Sequence, residues 1–322
     1  MRRTLISMSR AQQLRWRSDL VWGRMAGRYP HVPWGLLARE IARAHKPCRH
    51  RETVRILERD DAAGMVYLAV GEDHRFWFPA QANFEPLGSS YGEVFDPGHN
   101  HYYEWREARL RPDDVALDAG ACEGYFTRFA LDRGARVLAV EPWSLMARCL
   151  ERTFAPEIAQ GRIEIARVFL GRETGEATFA VYLANPFAAA AADADNCPDG
   201  SGDPAAGVVR ENVRVETLDN LVSASSFKRL DFVKMDIEGA ERDALAGGAQ
   251  TFRRFRPRAG ITTYHRADDW RDITRQLRAF VPGYRFHLKG VGHYDSDGWR
   301  PILLHAWPAV IKTAKAAIKA TP

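Results

Sequence analysis

Two pairs of acids and one histidine have the residue types that group-transfer chemistry needs. Glu141 follows Asp118 by 23 residues, close to the roughly 20-residue spacing at which an acid at a strand end holds a ribose. A carboxylate suits that task because it accepts from both ribose hydroxyls at once. Asp236 and Glu238 close another strand, where a carboxylate is placed to take the proton of an acceptor hydroxyl. His265 ends a further strand at the same expected edge, with an ordinary pKa that suits a base near neutrality. Each has a structural alternative. Glu141 reads also as a solvated acid beside Pro142, Asp236 and Glu238 as helix caps and dipole partners, and His265 as a structural strand-end group.

The elements that must position these groups are legible around them. A buried strand, Val115 to Leu117, ends at Asp118. It passes a small-residue turn holding Gly120 and Gly124, and enters a helix with Phe126, Phe129 and Ala130 on one face. A second strand, Arg136 to Val140, ends in Glu141. Strand, glycine turn, helix, strand and acid form a nucleotide-type site at the carboxyl edge of a parallel sheet. The glycines are expected to let backbone approach a ligand, with helix-start amides facing it. Their pattern is G-A-C-E-G rather than G-x-G-x-x-G. No diphosphate turn is spelled out, which disfavours NAD and favours a nucleoside ligand such as S-adenosylmethionine. The buried run L-D-F-V-K-M-D-I feeds a helix expected to carry Glu238 and Glu241 in its first turn. R-A-G-I-T-T-Y-H leads to His265, and Y-R-F-H-L-K with P-I-L-L-H-A-W form a terminal antiparallel hairpin.

The rest reads as support. Residues 1–50 are expected to be a basic helical segment, with Pro33 at a first turn and Trp34, Leu37, Ile41 and Ala44 on one helix face. Trp16, Trp22 and Trp34 read as a stripe packed on the neighbouring domain, a membrane-surface helix being the alternative. Residues 51–110 form a small β-rich region followed by a loop leading to the site. It contains Tyr91, Glu93, His99, His101, Tyr102 and Tyr103. His99 and His101 lack a third metal ligand and read as hydrogen-bonded or solvent-facing. Tyr102 and Tyr103 either close over a cofactor or simply pack. Residues 111–308 form the main domain. Within it R-I-E-I-A-R-V-F-L is a third strand, E-A-T-F-A-V-Y an edge strand, and Asp219 the cap of its own helix. The low-complexity stretch 184–207 is a flexible insertion and 309–322 a basic tail.

Composition sets wider limits. At 322 residues with 46% hydrophobic and 27% charged content, the chain supports one sizeable α/β domain with an appendage. Cys48, Cys122, Cys149 and Cys197 form no C-x-x-C pair, so no metal site is expected. The formal charge of +5 is concentrated near the amino terminus, and no nucleic-acid-binding module accompanies it. No transmembrane run or secretory signal is visible, which makes the cytoplasm the expected address.

Several stretches together resemble the FkbM family of S-adenosylmethionine-dependent methyltransferases. They are Asp118-Ala-Gly120-Ala121-Cys-Glu-Gly124-Tyr-Phe126-Thr, Glu141-Pro142, Thr217-Leu-Asp219 and Lys234-Met-Asp236-Ile-Glu238-Gly239-Ala-Glu241. The last is the most specific, and the resemblance spans roughly Tyr91 to Trp307. It implies a Rossmann-like class I methyltransferase sheet of seven strands with an antiparallel final strand. It also implies S-adenosylmethionine contacts at Asp118, Gly120, Ala121, Gly124, Phe126, Glu141 and Pro142. The implied reaction is methylation of a hydroxyl on a sugar, glycan or secondary metabolite, with Asp236, Glu238 and His265 as catalytic candidates. The Tyr264-His265 pair is similar to one branch of the family, whereas Cys122 stands where the family more often has Asn. An NAD-dependent sugar oxidoreductase or epimerase is opposed by the glycine spacing and the hairpin. A non-catalytic scaffold is opposed by the intact acids and glycines.

Overall fold

The computed structural model describes residues 10–42, 52–183, 190–191, 207–294 and 298–309. Nearly all of the 184–207 insertion, the tail beyond residue 309, Cys48 and Cys197 lie outside the described residues. Two helices, α1 (Arg10–Met25) and α2 (Trp34–Ala42), precede an antiparallel sheet of β1 (Val54–Asp60), β2 (Met65–Val70) and β3 (His74–Pro79), followed by α3 (Leu87–Phe95). The main sheet begins with β4 (Val115–Ala119), α4 (Tyr125–Asp132), β5 (Arg136–Val140), α5 (Ser144–Thr153), α6 (Ala155–Ala159) and β6 (Ile163–Ala166). An excursion follows through β7 (Phe169–Leu170), β8 (Gly175–Tyr182), β9 (Ala190–Ala191) and β10 (Val208–Glu216). The chain then completes the sheet with α7 (Leu218–Ala224), β11 (Phe232–Met235), α8 (Glu241–Ala246), α9 (Ala249–Phe255), β12 (Arg258–Thr262), α10 (Asp269–Phe280), β13 (Tyr284–Tyr294) and β14 (Gly298–Pro308).

The seven strands of the main sheet lie in the order β13-β14-β12-β11-β4-β5-β6. Six run in one direction, and β14 runs antiparallel to them between β12 and β13. This is the expected Rossmann-like sheet with its terminal hairpin. Every residue of β4, β11 and β12 is buried, because helices cover both faces of a parallel sheet and leave no polar side. The two faces still alternate. Ala116 and Phe232 join one apolar cluster, and Val115, Leu117, Val233 and Met235 join the other. From β4 the chain winds outward to β5 and β6, then returns to place β11 on the other side of β4. The carboxyl ends of β4 and β11 therefore flank the switch point, where an open α/β sheet leaves a crevice.

Three local expectations change. R-I-E-I-A-R-V-F-L is not one strand: β6 follows β5 as far as the pair Val140↔Ala166, where β5 ends. The chain then takes β10 as its new partner through Phe169↔Val215, since backbone groups that lose one ladder must find another. E-A-T-F-A-V-Y is β8, which lies inside the resulting sheet β7-β10-β8-β9 and not at an edge. Asp219 does not cap its own helix. Thr217 does so by accepting from the Asn220 amide, while Asp219 accepts from the amides of Gln250 and Thr251 at the start of α9.

The amino-terminal aromatic residues separate in the same way. Trp16 is buried edge-on against Trp299, with ring centroids 5.3 Å apart. Asp19 accepts from Trp299 Nε1 at 3.0 Å and from the Tyr29 hydroxyl at 2.9 Å. Trp22 and Trp34 instead face outward. Among the described residues, no helix is long and apolar enough to cross a membrane.

Candidate functional site

One cavity opens at the carboxyl edge of the main sheet. The turn after β4 contributes Gly120, Ala121, Cys122 and Glu123, α4 contributes Tyr125 and Phe126, and the segment after β5 contributes Glu141, Pro142 and Trp143. Val168 comes from the break between β6 and β7, Phe169 from β7 itself, Asp236 and Glu238 follow β11, and Tyr264 follows β12. Ser90 and Glu93 of α3, Tyr103 and Lys234 complete much of the wall. Of the expected site residues, Gly120, Ala121, Phe126, Glu141, Pro142, Asp236 and Glu238 line this cavity. Asp118, Gly124 and His265 are not in its wall; each packs against residues that are.

Asp118 is fully buried and pairs with Lys234, its register partner on β11, through Oδ1 to Nζ at 3.0 Å. Its other oxygen accepts from Thr127 Oγ1 at 2.7 Å. Lys234 Nζ also donates to the carbonyls of Gly120 at 2.6 Å and Ala119 at 3.2 Å. Burial works against the Lys234 charge, yet the facing Asp118 and Asp236 carboxylates raise its pKa above the ordinary value. The ammonium thus ties the end of β4 and the first carbonyl of the turn to β11. Asp118 shapes the turn through this lysine rather than by touching the cavity.

The glycines have structural reasons different from the expected ligand approach. A Cβ on Gly120, whose φ is +76°, would meet the Asp236 carbonyl oxygen at 2.0 Å. One on Gly124, with φ +87°, would meet Phe154 at 2.7 Å and Leu150 at 2.9 Å. The first glycine lets β4 and β11 close on each other, and the second lets α4 pack against α5. Cys122, between them, also has a left-handed backbone, with φ +44°. Asn adopts that region more readily than Cys.

Glu141 is buried, its Oε2 accepting from the Cys122 amide at 3.0 Å and its Oε1 from the Trp143 amide at 2.9 Å. Burial, only partly offset by those amides and Lys234, pushes its carboxyl up to about 7. Glu123 lies across the same turn, nine-tenths buried, and burial likewise raises it to about 7 against a hydrogen bond from the Cys122 thiol. No ion pair to either glutamate occurs among the described residues. Glu123 was missed in the sequence because it sits inside a glycine turn. A charged residue between two such glycines was the signal available.

Around Asp236 the groups are charged and tightly connected. Its carboxylate accepts from the hydroxyls of Tyr103 at 3.0 Å and Tyr264 at 3.1 Å. Burial and the neighbouring Asp236 charge keep the Tyr103 proton in place well above its ordinary value of 10. His265 lies behind these acids. Its Nδ1 is 2.9 Å from Glu241 Oε1, and its Nε2 is 3.3 Å from Glu238 Oε2 and 3.6 Å from Asp236 Oδ1. Burial would lower the His265 pKa, but Glu241 and Glu238 outweigh it and hold it well above the ordinary value. For Glu241, burial is likewise outweighed by the His265 charge, and its carboxyl is held below the usual range. Asp236, Glu241 and His265 each bring a ligand-type atom within 4.8 Å of the others, and the imidazolium joins them. Glu238 lies outside α8, in a left-handed turn with φ +53°. The helix dipole therefore does not account for it, and strain of this kind in a non-glycine residue costs about 1–3 kcal/mol.

The loop before β4 adds residues that sequence reasoning left open. Tyr103 joins the cavity, whereas Tyr102 donates to Glu104 at 2.9 Å and accepts from Arg133 at 3.2 Å, so it packs. His99 and His101 are buried. His99 Nδ1 accepts from the His101 amide at 3.1 Å, and His101 Nδ1 lies 3.4 Å from Glu93.

The left-handed Cys122 gives a direct test of the turn. Cys122→Asn should raise stability to urea by roughly 0.5–1 kcal/mol by relieving that backbone cost. A loss larger than this would contradict the assigned conformation.

The family model for the methyltransferase FkbM domain matches residues 118–288, more than half of the chain. No curated protein sequence matches. Among solved structures, the methyltransferase FkbM of Methylobacillus flagellatus KT is 21% identical, with a TM-score of 0.42 over 61% of this chain. The match covers 44% of that protein, so the chain spans less than half of its length. A precorrin-6y C5,15-methyltransferase of Geobacter metallireducens GS-15 is 12% identical over 63% of this chain and 84% of its own, with a TM-score of 0.36. The C-terminal domain of the corresponding Rhodobacter capsulatus enzyme is 11% identical over 73% and 94%, with a TM-score of 0.35. By the match of the family model over this sheet edge, the chain belongs to the methyltransferase FkbM domain family.

Proposed function

We propose that this protein transfers a methyl group from S-adenosylmethionine to a hydroxyl on a sugar, glycan or secondary metabolite. The observation that carries this reading is that one cavity joins two differently equipped acids, Glu141 after β5 and Asp236 after β11. Glu141 is a buried carboxylate whose oxygens already accept one backbone amide each, and each oxygen retains a second lone pair. With Trp143, Met146, Val168 and Phe169 as apolar wall, this donor and acceptor set fits a nucleoside. Glu141 would hold the ribose hydroxyls, and the turn of Gly120 and Ala121 would lie beside the amino-acid part of the donor. When bound, S-adenosylmethionine supplies an electrophilic methyl group on sulfur.

The chain's own groups must then orient an acceptor hydroxyl and remove its proton. Asp236 faces the cavity and is fixed by Tyr103 and Tyr264, so it is assigned as the proton acceptor. His265, expected from sequence to be a base near neutrality, has a different part in this reading. As a held imidazolium it balances Asp236, Glu238 and Glu241 and keeps their positions fixed. Glu123 offers a second reading, because a carboxyl at about 7 inside the cavity is matched to proton transfer at neutral pH. An NAD-dependent reaction gains no support, since the turn has no diphosphate glycine pattern.

Two measurements separate these roles. Ribose hydroxyls favour the ionised Glu141, so S-adenosylmethionine binding should release a proton near neutrality and tighten as pH rises through about 7. Glu141→Gln should weaken binding roughly 10- to 100-fold, the loss of about 1.5–3 kcal/mol from hydrogen bonds to a charged group. Unchanged calorimetric affinity would remove the ribose assignment. For catalysis, labelled transfer to hydroxylated acceptor pools should fall roughly 100-fold or more in Asp236→Asn, with donor affinity nearly intact. If Glu123→Gln instead abolishes turnover and Asp236→Asn does not, the proton goes to Glu123.

A further inference from the structure

The outward face of α1 carries large apolar side chains among its polar groups. On its inner side Trp16, Leu20 and Gly23 are buried, and Trp16 meets Trp299. On the opposite side Leu14, Trp22 and Met25 are 66%, 64% and 62% exposed. Leu14 and Met25 lie about three helical turns apart on one side of the helix, with Trp22 one turn from Met25 and the exposed Ser18 between Trp22 and Leu14. Trp34 is 52% exposed and adjoins the stripe through Arg24, whose guanidinium lies 4.7 Å from the Trp34 ring centre. Single exposed apolar residues are ordinary, whereas several large ones gathered on one face mark an interaction surface.

The charge around the stripe is predominantly positive. From Arg10 to Ala42 the chain has six arginines and two acids. Arg15 and Arg28 are exposed, and Arg17 and Arg24 are half-buried. Glu40 is buried, and Asp19 pairs with Arg28 while accepting from Tyr29 and Trp299, so six arginines against two acids leave the segment net positive. Apolar and indole side chains bordered by guanidinium groups match the boundary between lipid headgroups and acyl chains.

We propose that this face seats the protein on an anionic lipid surface, with Leu14, Trp22, Met25 and Trp34 entering the interface and the arginines meeting lipid phosphates. A second copy of the chain is the poorer occupant, because two such faces would set their arginines against each other. The seat is also connected to the sheet edge. Trp299 of β14 donates to Asp19 of α1, and the next residue, Arg300, donates to the carbonyls of Tyr264 at 2.8 Å and His265 at 3.0 Å. The proposal stands independently of the methyl-transfer reading.

The test is co-sedimentation of the full chain with vesicles of phosphatidylcholine alone and with vesicles rich in phosphatidylglycerol. Binding to the anionic vesicles should exceed binding to the neutral ones by at least about tenfold and weaken with added salt. The triple variant Trp22→Ser, Met25→Ser, Trp34→Ser should lose that binding while keeping the wild-type melting temperature, since these side chains are exposed. Three outcomes overturn the proposal. They are equal binding to neutral vesicles, anionic binding that survives in the variant, and absence of binding together with a dimer that the variant dissociates.

Discussion

The buried pair of Asp118 and Lys234 is the constraint on which the rest of the sheet edge depends. These residues are register partners on β4 and β11, the two strands that flank the switch point of the sheet. Taking an ammonium and a carboxylate out of water is unfavourable unless further hydrogen bonds complete both groups. Here Thr127 completes the acid, and the carbonyls of Ala119 and Gly120 complete the lysine. The same contacts fix the first carbonyl of the turn, so a single ion pair sets strand register and shapes the cavity wall. Gly120 must then lie against the Asp236 carbonyl, a contact that leaves no room for a side chain.

A second, more acidic network sits beside this strut. Glu238 and Glu241 share the His265 imidazolium, which also lies near Asp236, and Asp236 is further held by two tyrosine hydroxyls. So many carboxylates at one strand end would repel one another without the buried cation, which makes His265 a positioning residue in the proposed reaction. The strained Glu238 backbone belongs to the same arrangement, because its left-handed turn directs the chain from β11 into α8. Burial then separates the acids of this sheet edge into two kinds. Glu241 is held ionised by its cation, while Glu123 and Glu141 titrate near neutrality because burial disfavours their charge.

Much of this was legible in the sequence, for identifiable reasons. The continuous apolar runs of β4 and β11, the acid after β5 and the terminal hairpin follow from local pattern, and they positioned Gly120, Glu141 and Asp236 correctly at one edge. The split between β6 and β7 was not legible. It depends on where β5 stops offering a partner, which no residue in R-I-E-I-A-R-V-F-L records. The strand end at His265 follows from local pattern, but its charge depends on Glu238 and Glu241, brought against it by a left-handed turn that no local pattern marks. Trp16, Trp22 and Trp34 looked like one stripe. Only the packing of Trp16 on Trp299, from the far end of the chain, shows that the other two are left outside.

The central claim is that the edge built by Asp118, Lys234 and Glu141 receives a nucleoside methyl donor and not a dinucleotide. Calorimetric titration of the full chain with S-adenosylmethionine and, separately, with NAD tests it most directly. The account predicts saturable one-to-one binding of S-adenosylmethionine and no response to NAD. Binding of NAD without binding of S-adenosylmethionine would contradict it.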